Sequence, residues 1–86
     1  MSAMQMMSAL AQTTRLNVFT ILAGRPAGLS AGEIAAKSNT PANTMSAHLA
    51  ILLRAGLITS SKSGRVITYT ARPDAVRELC DFLEKL

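Results

Sequence analysis

Thr40 followed by Pro41 is the residue order that opens a helix, and the stretch it heads restricts the fold of this 86-residue chain more than any other. Thr40 is expected to cap the free amides, and Pro41 stands at the first helical position, where its missing N–H costs nothing. From there Met45, Leu49, Leu52 and Leu53 recur every three to four residues and mark an apolar stripe that must face a core. The opposite face is small and polar: Ala42, Asn43, Ser46 and Ala47, with Thr44 and His48 at its margins. None of these is bulky enough to hold the backbone away from a groove of about 12 Å, the width of the DNA major groove. Gly56, just after Arg54 and Ala55, suits the left-handed position past a helix end, and Arg54 complements the C-terminal dipole.

The flanking segments extend this pattern. Ser30 and Glu33 have capping-box spacing, Ile34, Ala35 and Ala36 supply the apolar face of a short helix, and Ser38 and Asn39 break it. Two short helices joined by a polar turn, the second with exposed polar residues, have the helix-turn-helix layout over residues 30–54. Beyond Gly56, Leu57 to Ser61 and Val66 to Thr70 are β-branched and apolar segments around Lys62, Ser63 and Gly64, which predicts a hairpin over 57–71. Lys62 and Arg65 at its tip are placed to meet phosphates or an adjacent minor groove.

The rest of the chain is also helical in pattern. Residues 13–23 carry Leu16, Phe19, Ile21 and Leu22 as expected core, with Val18 beside them, and Gly24, Arg25, Pro26, Ala27 and Gly28 form the following loop. Pro73 and Asp74 open a last helix whose Val76, Leu79, Cys80, Leu83 and Leu86 form a stripe with Phe82 at its margin. Its wet side offers Arg77 with Asp81 and Asp81 with Lys85 as i,i+4 pairs. At the other end Met4, Met7, Leu10 and Ala11 give a short apolar face. The expectation is a mainly α protein with a small β-hairpin wing, a winged helix-turn-helix of five helices and two strands, in one domain over residues 1–86.

A chain of this length buries only about 60 to 65% of its unfolded surface, so a second copy is an expected supplement to stability. Aromatics are 3% of residues while 49% are apolar, a balance that suits packed helices better than a β-sandwich. Residues 1–72 hold Arg15, Arg25, Lys37, Arg54, Lys62, Arg65 and Arg72 against Glu33, a net +6. The last 14 residues hold Arg77 and Lys85 against Asp74, Glu78, Asp81 and Glu84, a net −2, so the +4 of the chain belongs to the body. Such a distribution attracts a polyanion with strong salt dependence. A single cysteine excludes an internal disulfide, and no apolar run or leader points to membrane or secretion, so the cytoplasm is the expected location.

In order along the chain, Ala9-Leu10-Ala11, Thr14-Arg15-Leu16, Ile21-Leu22, Glu33-Ile34-Ala35, Asn43-Thr44-Met45-Ser46-Ala47-His48-Leu49, Leu52-Leu53-Arg54-Ala55-Gly56-Leu57, and Gly64-Arg65 with Tyr69 resemble the ArsR family of small dimeric winged-helix repressors. The resemblance implies a homodimer on a near-palindromic operator in double-stranded DNA. It also implies pairing of the first and last helices (1–11 and 73–86) with those of the second subunit, through Met4, Met7, Val76, Leu79, Cys80 and Leu83. The other reading of the last helix is closure of the protomer's own core. For DNA contact the matching positions are Ala42, Asn43, Thr44, Ser46, Ala47 and His48 on the recognition helix (41–54), with Lys62 and Arg65 on the wing. Asn43 suits adenine, Thr44 and Ser46 suit bases or phosphates, and the Ala42 and Ala47 methyls suit thymine methyls. His48 is either a phosphate or base-edge contact or a half-buried packing residue.

The chain departs from the metal-sensing members of that family. Residues 29–34 hold no cysteine pair, the last helix has no His, and one Cys per subunit cannot give three thiolates, so no metal or cofactor is expected and the inducer stays open. Cys80 is a possible thiol sensor, but its apolar and acidic neighbours favour simple packing. No nucleophile with a base, no phosphate-cradling glycine loop and no grouped carboxylates support an enzyme. The second reading is a winged-helix protein-interaction module without specific DNA binding.

Overall fold

In the computed structural model, which describes residues 2–86, the elements run α1 (Ala3–Leu10), α2 (Thr13–Ala23), β1 (Leu29–Ser30), α3 (Ala31–Lys37), α4 (Ala42–Arg54), β2 (Ile58–Ser63), β3 (Val66–Ala71) and α5 (Ala75–Glu84). Met1, the first residue of the expected pairing segment 1–11, lies outside the described residues. All five expected helices form, and the hairpin gains a third member. β1 pairs antiparallel with β3 through Leu29 to Tyr69 and Ser30 to Thr68, giving the sheet order β1-β3-β2. Two residues carry too little pattern to read as a strand; they become one because β3 leaves its second edge open beside them. None of the described helices is long and apolar enough to cross a membrane.

Local chemistry fixes the helix ends. The Ser30 hydroxyl accepts from the Glu33 N–H at 3.2 Å while Glu33 Oε1 accepts from the Ser30 N–H at 2.9 Å, so the capping box is closed in both directions. α3 and α4 then end alike, in Schellman closures. Thr40 N–H donates to the Ala35 carbonyl at 3.0 Å and Asn39 N–H to that of Ala36 at 3.3 Å, with Asn39 at φ +50°. Leu57 N–H donates to the Leu52 carbonyl and Gly56 N–H to that of Leu53, both at 3.1 Å, with Gly56 at φ +76°.

The opening of α4 differs from expectation. Pro41 itself is the N-cap, at ψ 145°, no side chain caps it, and Thr40 Oγ1 donates to the Ser38 carbonyl at 3.0 Å instead. Thr40 already serves as the last residue of the closure of α3, which turns its hydroxyl back over that turn. A first-turn amide of α4 finds its partner inside the helix, where Asn43 Oδ1 accepts from the Thr44 N–H at 2.9 Å.

One core joins α1 to α4, the sheet and the start of α5, with Met6, Val18, Leu22, Ile34, Met45, Leu49, Leu52, Leu57 and Ile58 at its centre. In α2 the inward face is Val18, Phe19 and Leu22; Ile21 is half-buried and Leu16, expected inside, is 48% exposed. In α1 the inward residues are Met6 and Ala9, with Met7 and Leu10 half-buried, Ala11 exposed and Met4 outside. Positions 3, 4, 6, 7, 9 and 10 are all apolar, so spacing alone allows several faces and packing against α2 and α5 selects one. From α5 only Ala75 is buried. The expected pairs of Asp81 with Arg77 and Lys85 do not form, since exposed pairs gain little over hydration and lose rotamer freedom. The ion pair present among the described residues joins Arg72 Nη2 to Glu78 Oε1 at 2.9 Å.

Candidate nucleic-acid interface

Met45, Leu49 and Leu52 anchor α4 in the core, which turns its other side outward. Ala42, Asn43, Thr44, Ser46 and Ala47 are all exposed there, and the first turn holds no acidic residue. Ser46 Oγ donates to the Ala42 carbonyl at 3.1 Å, which leaves its lone pairs outward as acceptors. A helix N-terminus with free amides and no carboxylate nearby favours an anion.

His48 sits farther along this helix and is half-buried. Its Nδ1 lies 3.4 Å from Arg15 Nη1, and Arg15 Nε donates to the Ala9 carbonyl at 2.7 Å. One guanidinium at the start of α2 therefore touches the last turn of α1 and the middle of α4. Sequence reasoning placed Arg15 only in a motif and a charge count. The signal that would have found it is the carbonyls left unpaired at the end of α1, which a cation satisfies well.

The wing follows α4 directly in the chain. β2 and β3 pair from Ile58 with Ala71 out to Ser63 with Val66, about 17 Å at roughly 3.3 Å per residue. The loop is Gly64-Arg65, with Gly64 at φ +61°, the sign a tight hairpin turn needs at its first position. Lys62 lies inside β2 opposite Ile67 rather than in the turn, so Arg65 alone occupies the tip; both side chains are exposed. Between Ile34 and Pro73 there is no Asp or Glu, while Lys37, Arg54, Lys62, Arg65 and Arg72 fall in that span. The turn, α4 and the wing thus carry no acidic residue of their own. Just before it, the Ser30 backbone and hydroxyl bonds hold the Glu33 carboxyl below the usual carboxylate range.

Arg72 is a second residue that the sequence did not single out. Its N–H donates to the Leu57 carbonyl at 2.9 Å, its Nε donates to the Gly56 carbonyl, and its Nη2 pairs with Glu78. One side chain thereby ties the end of α4 to α5 across the base of the wing.

The first and last helices carry the other site residues. Val76 is 51% and Leu83 52% exposed on α5, Cys80 is exposed between them, and Leu79 is half-buried. On α1 Met4 is 64% exposed and Met7 half-buried. Of the α5 stripe, Leu79 packs against the protomer's own core, whereas Val76, Cys80 and Leu83 remain exposed.

Three comparisons bear on this geometry. A family model described as a helix-turn-helix domain matches residues 10–61. The transcriptional activator HlyU of Vibrio cholerae is 29% identical over 84 residues, 98% of this chain and 76% of that protein. The HTH-type transcriptional regulator YgaV of Escherichia coli is 31% identical over 84 residues, 98% of this chain and 84% of that one. Among solved structures, an ArsR-like transcriptional regulator from Rhodococcus sp. RHA1 superposes with a TM-score of 0.86 at 29% identity, covering 96% of this chain and 76% of that one. These relatives are transcription regulators, not enzymes.

Proposed function

The chain belongs to the ArsR-type family of winged helix-turn-helix transcriptional regulators, and from that premise we propose that it acts in the cytoplasm as a homodimeric repressor on a near-palindromic operator. The observation that carries this reading is the acid-free exposed face of α4, flanked by a basic wing. Ala42, Asn43, Thr44, Ser46, Ala47 and His48 enter the major groove, where Asn43 suits adenine and the alanine methyls suit thymine. Lys62 and Arg65 meet backbone phosphates and set register without reading sequence. The apolar stripe of α5, with Met4 and Met7 of α1, covers the matching stripe of a second copy. The two recognition helices then lie about one helical turn apart, near 34 to 36 Å.

Occupancy of such an operator represses by excluding RNA polymerase. One relative bears the name of an activator, and that favours a second reading in which an operator upstream of the promoter raises transcription. A promoter fusion with the operator moved relative to the start site separates the two. The binding claim itself is tested by fluorescence anisotropy on a duplex from upstream of the chain's own coding region and on a scrambled duplex, across a salt series. Preference for the first with a steep salt slope supports it; weak and equal binding to both at all salts favours a protein-interaction module. Replacing Ser46 and His48 together with alanine is expected to weaken specific binding with helix content unchanged.

A further inference from the structure

We infer that Arg15 is a positioning residue for the DNA contact of His48, acting by fixing the tautomer and orientation of that ring; the inference rests on the DNA-binding reading above. A guanidinium has donors only. Arg15 Nη1 faces His48 Nδ1 at 3.4 Å, and a hydrogen bond across that contact requires Nδ1 to accept, which in the neutral ring puts the hydrogen on Nε2. That hydrogen is a donor on the edge of the ring turned away from Arg15. Phosphate oxygens and the O6 and N7 atoms of guanine are acceptors only, so this tautomer selects them over the amino groups of adenine and cytosine, which are donors. The opposite tautomer would aim a hydrogen at the guanidinium and offer DNA a lone pair.

The arrangement needs arginine and not merely a positive charge. Nε and Nη1 project in different directions from one rigid plane, and here they reach acceptors on two separate helices: the Ala9 carbonyl of α1 and the His48 ring of α4. The carbonyl belongs to the last turn of α1, whose negative dipole end holds the guanidinium in place. The cleft beside it is bordered by Gln5, Ser8, Ile51 and Arg54, without a carboxylate to draw Arg15 away. The orientation of a recognition-helix side chain is therefore set by where α1 ends. A lysine keeps the charge but offers one point in place of a fork, and cannot hold both acceptors in this geometry.

The test combines 15N spectra of the His48 ring in the full-length protein with anisotropy on the operator and scrambled duplexes. The proteins are wild type, Arg15→Lys, His48→Ala and the double variant. Wild type is expected to show the Nε2–H tautomer, and Arg15→Lys a mixture of tautomers. Arg15→Lys should lose about tenfold in operator affinity, the order set by one hydrogen bond to a charged group, with the salt slope unchanged because the cationic charge is kept. His48→Ala should lose as much, and the double variant no more than His48→Ala. A wild-type ring with its hydrogen on Nδ1 overturns the inference without any variant having to fold. So does a tenfold loss from Arg15→Lys that persists in the His48→Ala background, because Arg15 would then act directly. If wild type prefers no duplex, the DNA-binding reading falls and with it the role in DNA contact, while the ring spectra separately decide whether Arg15 sets the tautomer.

Discussion

Gly28 should be less replaceable than Gly32 or Gly64, and the structure gives the reason in two separable parts. Its φ is +79°, and a Cβ added there would stand 2.5 Å from the Tyr69 carbonyl oxygen, 2.6 Å from Thr70 Cγ2 and 2.7 Å from Thr68 Cγ2. The left-handed backbone costs an alanine about 1 to 2 kcal/mol. The steric conflict costs about 1 to 3 kcal/mol more, since its nearest atom is strand backbone rather than a flexible side-chain end. A stiffer unfolded chain returns about 0.4 to 1 kcal/mol. Gly28→Ala is therefore expected to lose about 3 kcal/mol, the middle of a span of about 1 to 5, which at roughly 4 to 8 °C per kcal/mol lowers the melting temperature by about 12 to 24 °C. Two other glycines isolate the parts. Gly64 has φ +61° with nothing within 4 Å of an added Cβ, so Gly64→Ala should lose only the strain, about 1 kcal/mol. Gly32 lies in α3 with no such φ and open space, so Gly32→Ala should be neutral or stabilise by up to about 1 kcal/mol. Thermal unfolding followed by far-ultraviolet circular dichroism, at one fixed protein concentration because a dimer's melting depends on it, ranks the three. A Gly28→Ala protein no less stable than Gly64→Ala would refute the claim that close approach to β3 fixes this position.

Other perturbations reach the surface and the caps. Replacing Lys62 and Arg65 with alanine should weaken binding to operator and scrambled duplexes alike and flatten the salt slope by about two phosphate contacts; a selective loss on the operator would mean the wing reads bases. Glu33 has its folded pKa lowered by the Ser30 bonds, so its stabilising effect is complete above the ordinary carboxylate range and disappears as pH falls through the lowered value. In urea titrations the advantage of wild type over Glu33→Gln should thus be present at neutral pH and shrink on acidification, and an advantage that grows on acidification would contradict this. Val76→Glu with Leu83→Glu should turn a dimer into a monomer by sedimentation with helix content kept, whereas an unchanged dimer would place the interface elsewhere.

What the sequence disclosed was mainly what neighbouring residues decide among themselves. The Ser30 and Glu33 box, the bounds of α2 and the left-handed Gly56 each depend on a few adjacent residues and formed as read, while the hairpin formed with its first strand extended through Lys62 and Ser63 and its turn at Gly64-Arg65. Thr40 misled because two motifs compete for it. As a residue type it caps α4, but its backbone completes the end of α3, and the hydroxyl follows the backbone. The face of α1 was undecidable locally, since methionines at 4, 6 and 7 are interchangeable until other helices approach. Arg15 and Arg72 were illegible for a related reason: their partners are carbonyls and rings brought close by folding, and a charge count sees only two more cations.

Ser30 belongs to two elements at once. It pairs with Thr68 as the last residue of β1 and caps α3 through its hydroxyl, so no spacer separates the sheet from the first helix of the reading unit. Each half of the proposed dimer then behaves as a stiff lever rather than a hinged hand. In the proposed dimer a regulatory signal would then work by tilting two fixed levers against each other, and the quantity it would tune is the separation of the two reading heads. An effector that left each half of that dimer unchanged would still switch it by altering the pivot where the halves meet.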